Sequence, residues 1–142
     1  MSIGIQIPLM VGKQLNYSRL ITDGENALYA GLTGDISQHS PAATNTGNEE
    51  QERILANPFY LVGIIGALLN TRVTGEGSAC ITMQYEFLAP VYCGDRIEFV
   101  IEVVGVDQHK HLATLRTDCY NQHQHQVIVG QAVLLVTTSM LP

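Results

Sequence analysis

Residues 58–71 read PFYLVGIIGALLNT. Asn57 in front of them is a good N-cap, because its side-chain oxygen accepts a free first-turn amide, and Pro58 suits the first helical position, where no amide is needed. The pattern predicts a helix over 58–71. Phe59, Leu61, Val62, Ile64, Ile65, Leu68 and Leu69 leave it without a polar face. A helix of that kind in a globular chain is expected to be buried on every side. Gly63, Gly66 and Ala67 make part of its surface low, which allows close backbone approach. Arg72 at its end suits the negative pole of the helix dipole.

Burying such a helix needs a sheet curled around it. The second half of the chain supplies the strands: SACITMQYEFLAPV, RIEFVIEVVGV, LATLRTDCYN and QVIVGQAVLLVTT follow one another. Ile97, Phe99, Ile101 and Val103 alternate with Glu98 and Glu102, the mark of a half-buried antiparallel strand. Short connections predict that consecutive strands pair as a meander. Upstream, residues 3–10 and 14–21 read as two short strands. Thr22 and Glu25 form a capping box that opens a first helix, and Gly34 suits its end. Residues 35–53 are polar and hold Pro41, so they read as a long loop. The expected fold is α+β: one hot-dog domain over 1–142, an antiparallel sheet wrapped around one long apolar helix.

Composition narrows the function. The chain has 142 residues, 46% hydrophobic and 14% charged, which excludes a disordered tail. Seven Lys and Arg against thirteen Asp and Glu give a net charge of -6, a poor match for a nucleic-acid backbone. The apolar run 59–69 is too short to span a bilayer, and no leader pattern opens the chain, so a cytoplasmic protein without membrane contact is expected. Cys80, Cys93 and Cys119 form no CxxC pair and are expected to be reduced thiols. His109-x-His111 and His123-x-His125 look like metal ligands, but a strand of about 12 residues would hold the pairs roughly 40 Å apart, so no metal site is expected.

Several stretches resemble the (R)-specific enoyl-CoA hydratases, the MaoC-like dehydratase branch of the hot-dog folds. They are Leu32-Thr33-Gly34-Asp35, Gly75-Glu76-Gly77-Ser78, Phe87-Leu88-Ala89-Pro90-Val91, Gly94-Asp95 and Gly130-Gln131-Ala132-Val133. The similarity runs over roughly residues 13–138, with the pieces in the family's order. It implies hydration of a 2-enoyl thioester to a 3-hydroxyacyl thioester, or the reverse. A coenzyme A thioester is then the substrate, with no cofactor. It further implies a loop Asp and His that activate one water, and a helix-terminal Gly amide that polarises the thioester carbonyl.

Asp35 matches the family Asp, and the remaining positions depart from the pattern. Ser40 stands where the family has its His, and His39 lies one residue earlier. Asn57-Pro58 replaces the family's His-Gly, and Pro58 has no N–H to donate. Asp35, His39, Ser40 and Asn57 are the candidate catalytic residues. Phe59 and Tyr60, whose amides lie in the first helical turn, and Arg72 are the candidate substrate-binding residues. Arg53, Arg116 and Lys13 are the other cations in reach of coenzyme A phosphates. The expected assembly is a homodimer or larger even oligomer, or a pairing with a homologous hot-dog subunit, with the pocket between subunits. The alternatives to an altered hydratase are a non-catalytic partner subunit, an acyl-thioester binding module, and a thioesterase.

Overall fold

The structure, a computed structural model, describes residues 8–37, 53–75 and 77–142. The chain runs β1 (Gln14–Leu20), α1 (Asp23–Thr33), α2 (Pro58–Leu68), β2 (Ala79–Phe87), β3 (Arg96–Asp107), β4 (Leu112–Tyr120) and β5 (Gln126–Leu135). The five strands form one antiparallel sheet in the order β1-β3-β4-β5-β2. Strand β1 is where the sequence places it. Residues 8–10 carry no strand, and the rest of the expected 3–10 strand lies outside the described residues.

The expected meander holds for β3, β4 and β5 but not for β2. That strand pairs with β5, so between β2 and β3 the chain crosses from one edge of the sheet to the strand beside the opposite edge. Long-range pairing decides this. The 91–93 stretch is drawn instead to 54–56: Ala56 N–H donates to the Val91 carbonyl at 2.8 Å, and Cys93 N–H to that of Ile54 at 2.8 Å. Gly94, at φ +100°, then turns the chain into β3.

Helix α1 shows one half of the expected capping box, the Glu25 carboxylate being taken by Tyr60 and Arg19. Thr22 Oγ1 accepts from Glu25 N–H at 3.2 Å, and Gly34 closes the helix in the left-handed region at φ 80°. Asn57 caps α2 through its side chain, with Pro58 in the first turn. The predicted end at Thr71 becomes a π-helical turn, Leu69–Val73, in which Thr74 N–H reaches back to the Leu69 carbonyl. Leu61, Ile64, Ile65, Leu68 and Leu69 pack on Ile97, Phe99, Ile101, Leu115, Ile128 and Leu134 of the sheet to make the core. Burial of α2 on all sides is not what the single chain shows. Gly63 and Ala67 face out and Phe59 is 66% exposed, because five strands curl round only part of the helix.

Candidate functional site

The site lies where the end of α1 meets the start of α2. Gly34 ends α1 and Asp35 comes directly after it, so the helix delivers the carboxylate to this corner. Asn57 Nδ2 donates to Asp35 Oδ2 at 2.8 Å, joining residues 22 apart in sequence. Asp35 Oδ1 accepts from Ser37 Oγ at 2.6 Å and from Ser37 N–H at 3.1 Å. The Ser37 hydroxyl, then the Asn57 amide, hold the Asp35 carboxyl below the usual aspartate range. Asp35 is therefore ionised at neutral pH, ready to accept a hydrogen bond from water but a weak base.

Asn57 is 2% exposed and uses every polar group on this corner. Its Oδ1 accepts from Phe59 N–H at 2.9 Å. Its carbonyl takes the Tyr60 and Leu61 amides at 3.1 and 3.2 Å. The first-turn amides of Phe59 and Tyr60, the candidate substrate-binding residues, are thus already engaged. Capping explains it: an N-cap Asn folds back onto the amides that Pro58 leaves next in line.

Two further residues at this corner are not among the candidate site residues, Glu25 being read only as part of the α1 capping box. Asn26, on the buried face of α1, accepts Asn57 N–H on its Oδ1 at 2.9 Å and donates Nδ2 to the Leu55 carbonyl at 3.2 Å. Glu25 accepts the Tyr60 hydroxyl and pairs with Arg19 at 2.7 Å. Burial, then the Glu25 carboxylate, push the Tyr60 phenol up to about 12. No pattern in the sequence points to Asn26: the larger apolar residues of α1, Leu28 and Leu32, are exposed, and Asn26 shares the buried face with Ala30.

Beside Pro58 an apolar groove of about 270 Å³ runs along Leu55, Ala56, Leu61 and the 87–91 stretch. Further along α2, a side chain at Gly63 or Gly66 would meet nothing within 4 Å. Arg72 stands 15 residues past Asn57, about 20 Å at the helical rise, with its guanidinium over the Tyr17 ring at 5.2 Å. It shares a small hollow with Lys13. Arg53 and Arg116 are committed to Asp95 and Asp118. His39 and Ser40 lie outside the described residues. The two histidine pairs occupy the hairpins at opposite ends of β4, and among the described residues no group of three or more metal-binding side chains forms. All three thiols are free. Burial pushes Cys119 up to about 12 and raises Cys93.

Residues 10–123 match the MaoC-like domain. The chain belongs to the MaoC-like family. It is 30% identical over 133 residues to a 3-hydroxybutyryl-CoA dehydratase of Methylorubrum extorquens, covering 90% of this chain and 81% of that one. It is 29% identical to an (R)-specific enoyl-CoA hydratase of Rhodospirillum rubrum, over 88% of this chain and 86% of the relative. The solved (R)-hydratase of A. caviae superposes with a TM-score of 0.81 at 28% identity, covering 91% and 98% of the two chains. The α+β sheet-and-helix architecture of this MaoC-like chain is thus the hot-dog fold of its relatives. Among the described residues, no helix is long and apolar enough to cross a membrane.

Proposed function

We propose that this MaoC-like chain interconverts a 2-enoyl-CoA and a 3-hydroxyacyl-CoA at an altered site. The observation that carries the reading is the 2.8 Å contact of Asn57 with Asp35, which assembles the family's loop carboxylate and helix-start residue in one place. Asp35 holds a water and takes one of its protons. The water oxygen bonds C3 of the enoyl group, the double-bond electrons move towards the thioester, and the proton taken from the water passes to C2, which leaves Asp35 ionised again. Dehydration is the same path reversed. Asn57 fixes the carboxylate, and its second amide hydrogen is a donor for the thioester carbonyl. His39 or Ser40 from the loop is the second group on the water. The groove beside Pro58 and the low surface at Gly63 and Gly66 take the acyl chain, Phe59 and Tyr60 line the entrance, and Arg72 meets a coenzyme A phosphate. The free thiols suit a reducing cytoplasm.

A second copy completes the assembly in this reading. Strand β2 is an edge strand with Ile81, Met83 and Phe87 exposed, and Phe59 on α2 is exposed as well. An open apolar edge of this kind is normally covered by pairing. A homologous hot-dog subunit would cover it equally well.

One feature favours a non-catalytic partner or an acyl-thioester binding module instead: Pro58 has no amide and those of Phe59 and Tyr60 are engaged, so the helix start offers no backbone oxyanion donor. Losing one such donor typically costs about 10²–10³ in rate. The test monitors crotonyl-CoA by loss of the enoyl-thioester absorbance, with the chain and Asp35→Asn side by side and thiol release read in parallel. Hydration that disappears in Asp35→Asn supports the proposal. Thiol release points to a thioesterase. A folded chain that turns over neither crotonyl-CoA nor longer enoyl-CoAs points to the binding or partner role.

A further inference from the structure

We propose that Asn26 is a positioning residue: it sets the pose of Asn57 and, through Asn57, that of the Asp35 carboxylate. Asn26 closes the first turn of α1 at 3% exposure. A primary amide there costs stability unless both ends are paired. Both ends are paired, and on the same short stretch of backbone. Oδ1 accepts Asn57 N–H at 2.9 Å, and Nδ2 donates to the Leu55 carbonyl at 3.2 Å. The residue between them, Ala56, is held from the other side by Val91. Asn26 therefore acts as one more rung on the 55–57 backbone, supplied by a side chain.

The geometry gives this rung a consequence for the site. Asp35 lies nine residues after Asn26, just past the end of the same helix, and takes the Asn57 side chain at 2.8 Å. Helix α1 thus grips Asn57 twice: by its backbone through Asn26, and by its side-chain amide through Asp35. The remaining polar groups of Asn57 point into α2, to Phe59, Tyr60 and Leu61. Without Asn26 the Asn57 N–H is left buried without its acceptor, and the angle between helix end and helix start is set by the Asp35 contact and packing. The effect on rate rests on the hydratase reading. The positioning does not.

The experiment separates the two. Asp35 is followed by carboxyl-carbon NMR in the full chain as pH is lowered, in the parent, Asn57→Ala, Asn26→Leu, the double variant and Asn26→Asp. In the parent, Ser37 and Asn57 hold the carboxylate, and no charged side chain among the described residues contributes. The expected result is an upward move of the Asp35 midpoint in Asn57→Ala and in Asn26→Leu, with no further move in the double variant, since the two act through one contact. Asn26→Asp, whose neutral carboxyl offers one donor and one acceptor, returns the midpoint towards the parent's. If Asn26→Leu does not fold, Asn26→Ser, too short for either partner, takes its place. Crotonyl-CoA hydration is expected to drop about 10²-fold in kcat with KM little changed. An Asp35 midpoint that stays at the parent value in Asn26→Leu or Asn26→Ser overturns the proposal, whether or not Asn57→Ala moves it. A parent chain with the expected titrations and no hydration overturns the catalytic reading and leaves the positioning intact.

Discussion

Replacing Gly130 by alanine should unfasten one edge of the sheet. Gly130 sits on β5 opposite Tyr85 of β2 and Thr117 of β4. A Cβ built there would lie 2.1 Å from the Gln84 carbonyl oxygen, 2.5 Å from Tyr85 Cδ1 and 2.7 Å from Tyr85 Cα. Two of these are backbone atoms in a hydrogen-bonded ladder, and they would have to retreat by about 1 Å or more to reach ordinary contact. Overpacking of this kind costs about 1–3 kcal/mol where side chains can adjust. Here the backbone must move, so the upper end, about 3 kcal/mol, is expected, or roughly 10 °C in melting temperature for a chain of this size. Gly105→Ala is the control. Its Cβ would meet only Thr114, at 3.7 Å, so the same substitution in the same sheet should be neutral or slightly stabilising. Both are read by thermal and urea unfolding, with amide exchange reporting on β2. Equal melting temperatures for the two variants would refute the reasoning.

Asp95 is buried and gathers Arg53 at 2.6 Å, Gln122 at 2.9 Å and the Tyr92 amide at 2.9 Å. Burial pushes its carboxyl up, but these partners together outweigh burial and hold it below the usual range. The stability this supplies is present above the ordinary aspartate pKa of about 3.9 and disappears as pH falls through the lower folded value. Asp95→Asn should cost about 1–3 kcal/mol at pH 7, and the gap to the parent should close in acid, as read by urea unfolding across pH. Activity that depends on the Asp35 carboxylate should have its acid limb below the ordinary aspartate range and stay flat through neutrality, because Asp35 is lowered by Ser37 and Asn57. A limb near pH 6–7 would assign the base elsewhere. Met83→Lys puts a charge on the exposed edge strand and should shift the proposed assembly towards monomer in sedimentation, leaving the unfolding of the chain itself little changed.

The local signals in the sequence translated directly into structure. Thr22 with Glu25, Asn57 with Pro58, and the alternation of Ile97, Phe99, Ile101 and Val103 each state a backbone preference that nearby residues do not contest. The placing of β2 beside β5 was not legible, because pairing across some 45 residues is settled by the whole sheet, and the short connection to β3 pointed to the nearer partner. The exposed face of α2 was hidden for a related reason: an all-apolar helix states that it will be covered, not by what. At the site, Asp35 and Asn57 were both readable as residues, while their contact depends on how α1 and α2 meet. Asn26 escaped because a single amide in a helix has no spacing pattern until its partners are known.

The π-helical turn at Leu69–Val73 makes the chain unequal in its tolerance of length change. A turn closed by a five-residue step holds one residue more than an α-helix needs. Deleting one residue from 69–73 can be absorbed by tightening that turn, which leaves the phase of Pro58–Leu68 and the site at its start untouched. The same deletion between Leu61 and Leu68 rotates the C-terminal part of the helix by about 100° and turns Ile64, Ile65 or Leu68 away from the sheet. Natural length variation in this helix should therefore collect at its far end, where Arg72 meets Tyr17, and spare the end that holds Asn57.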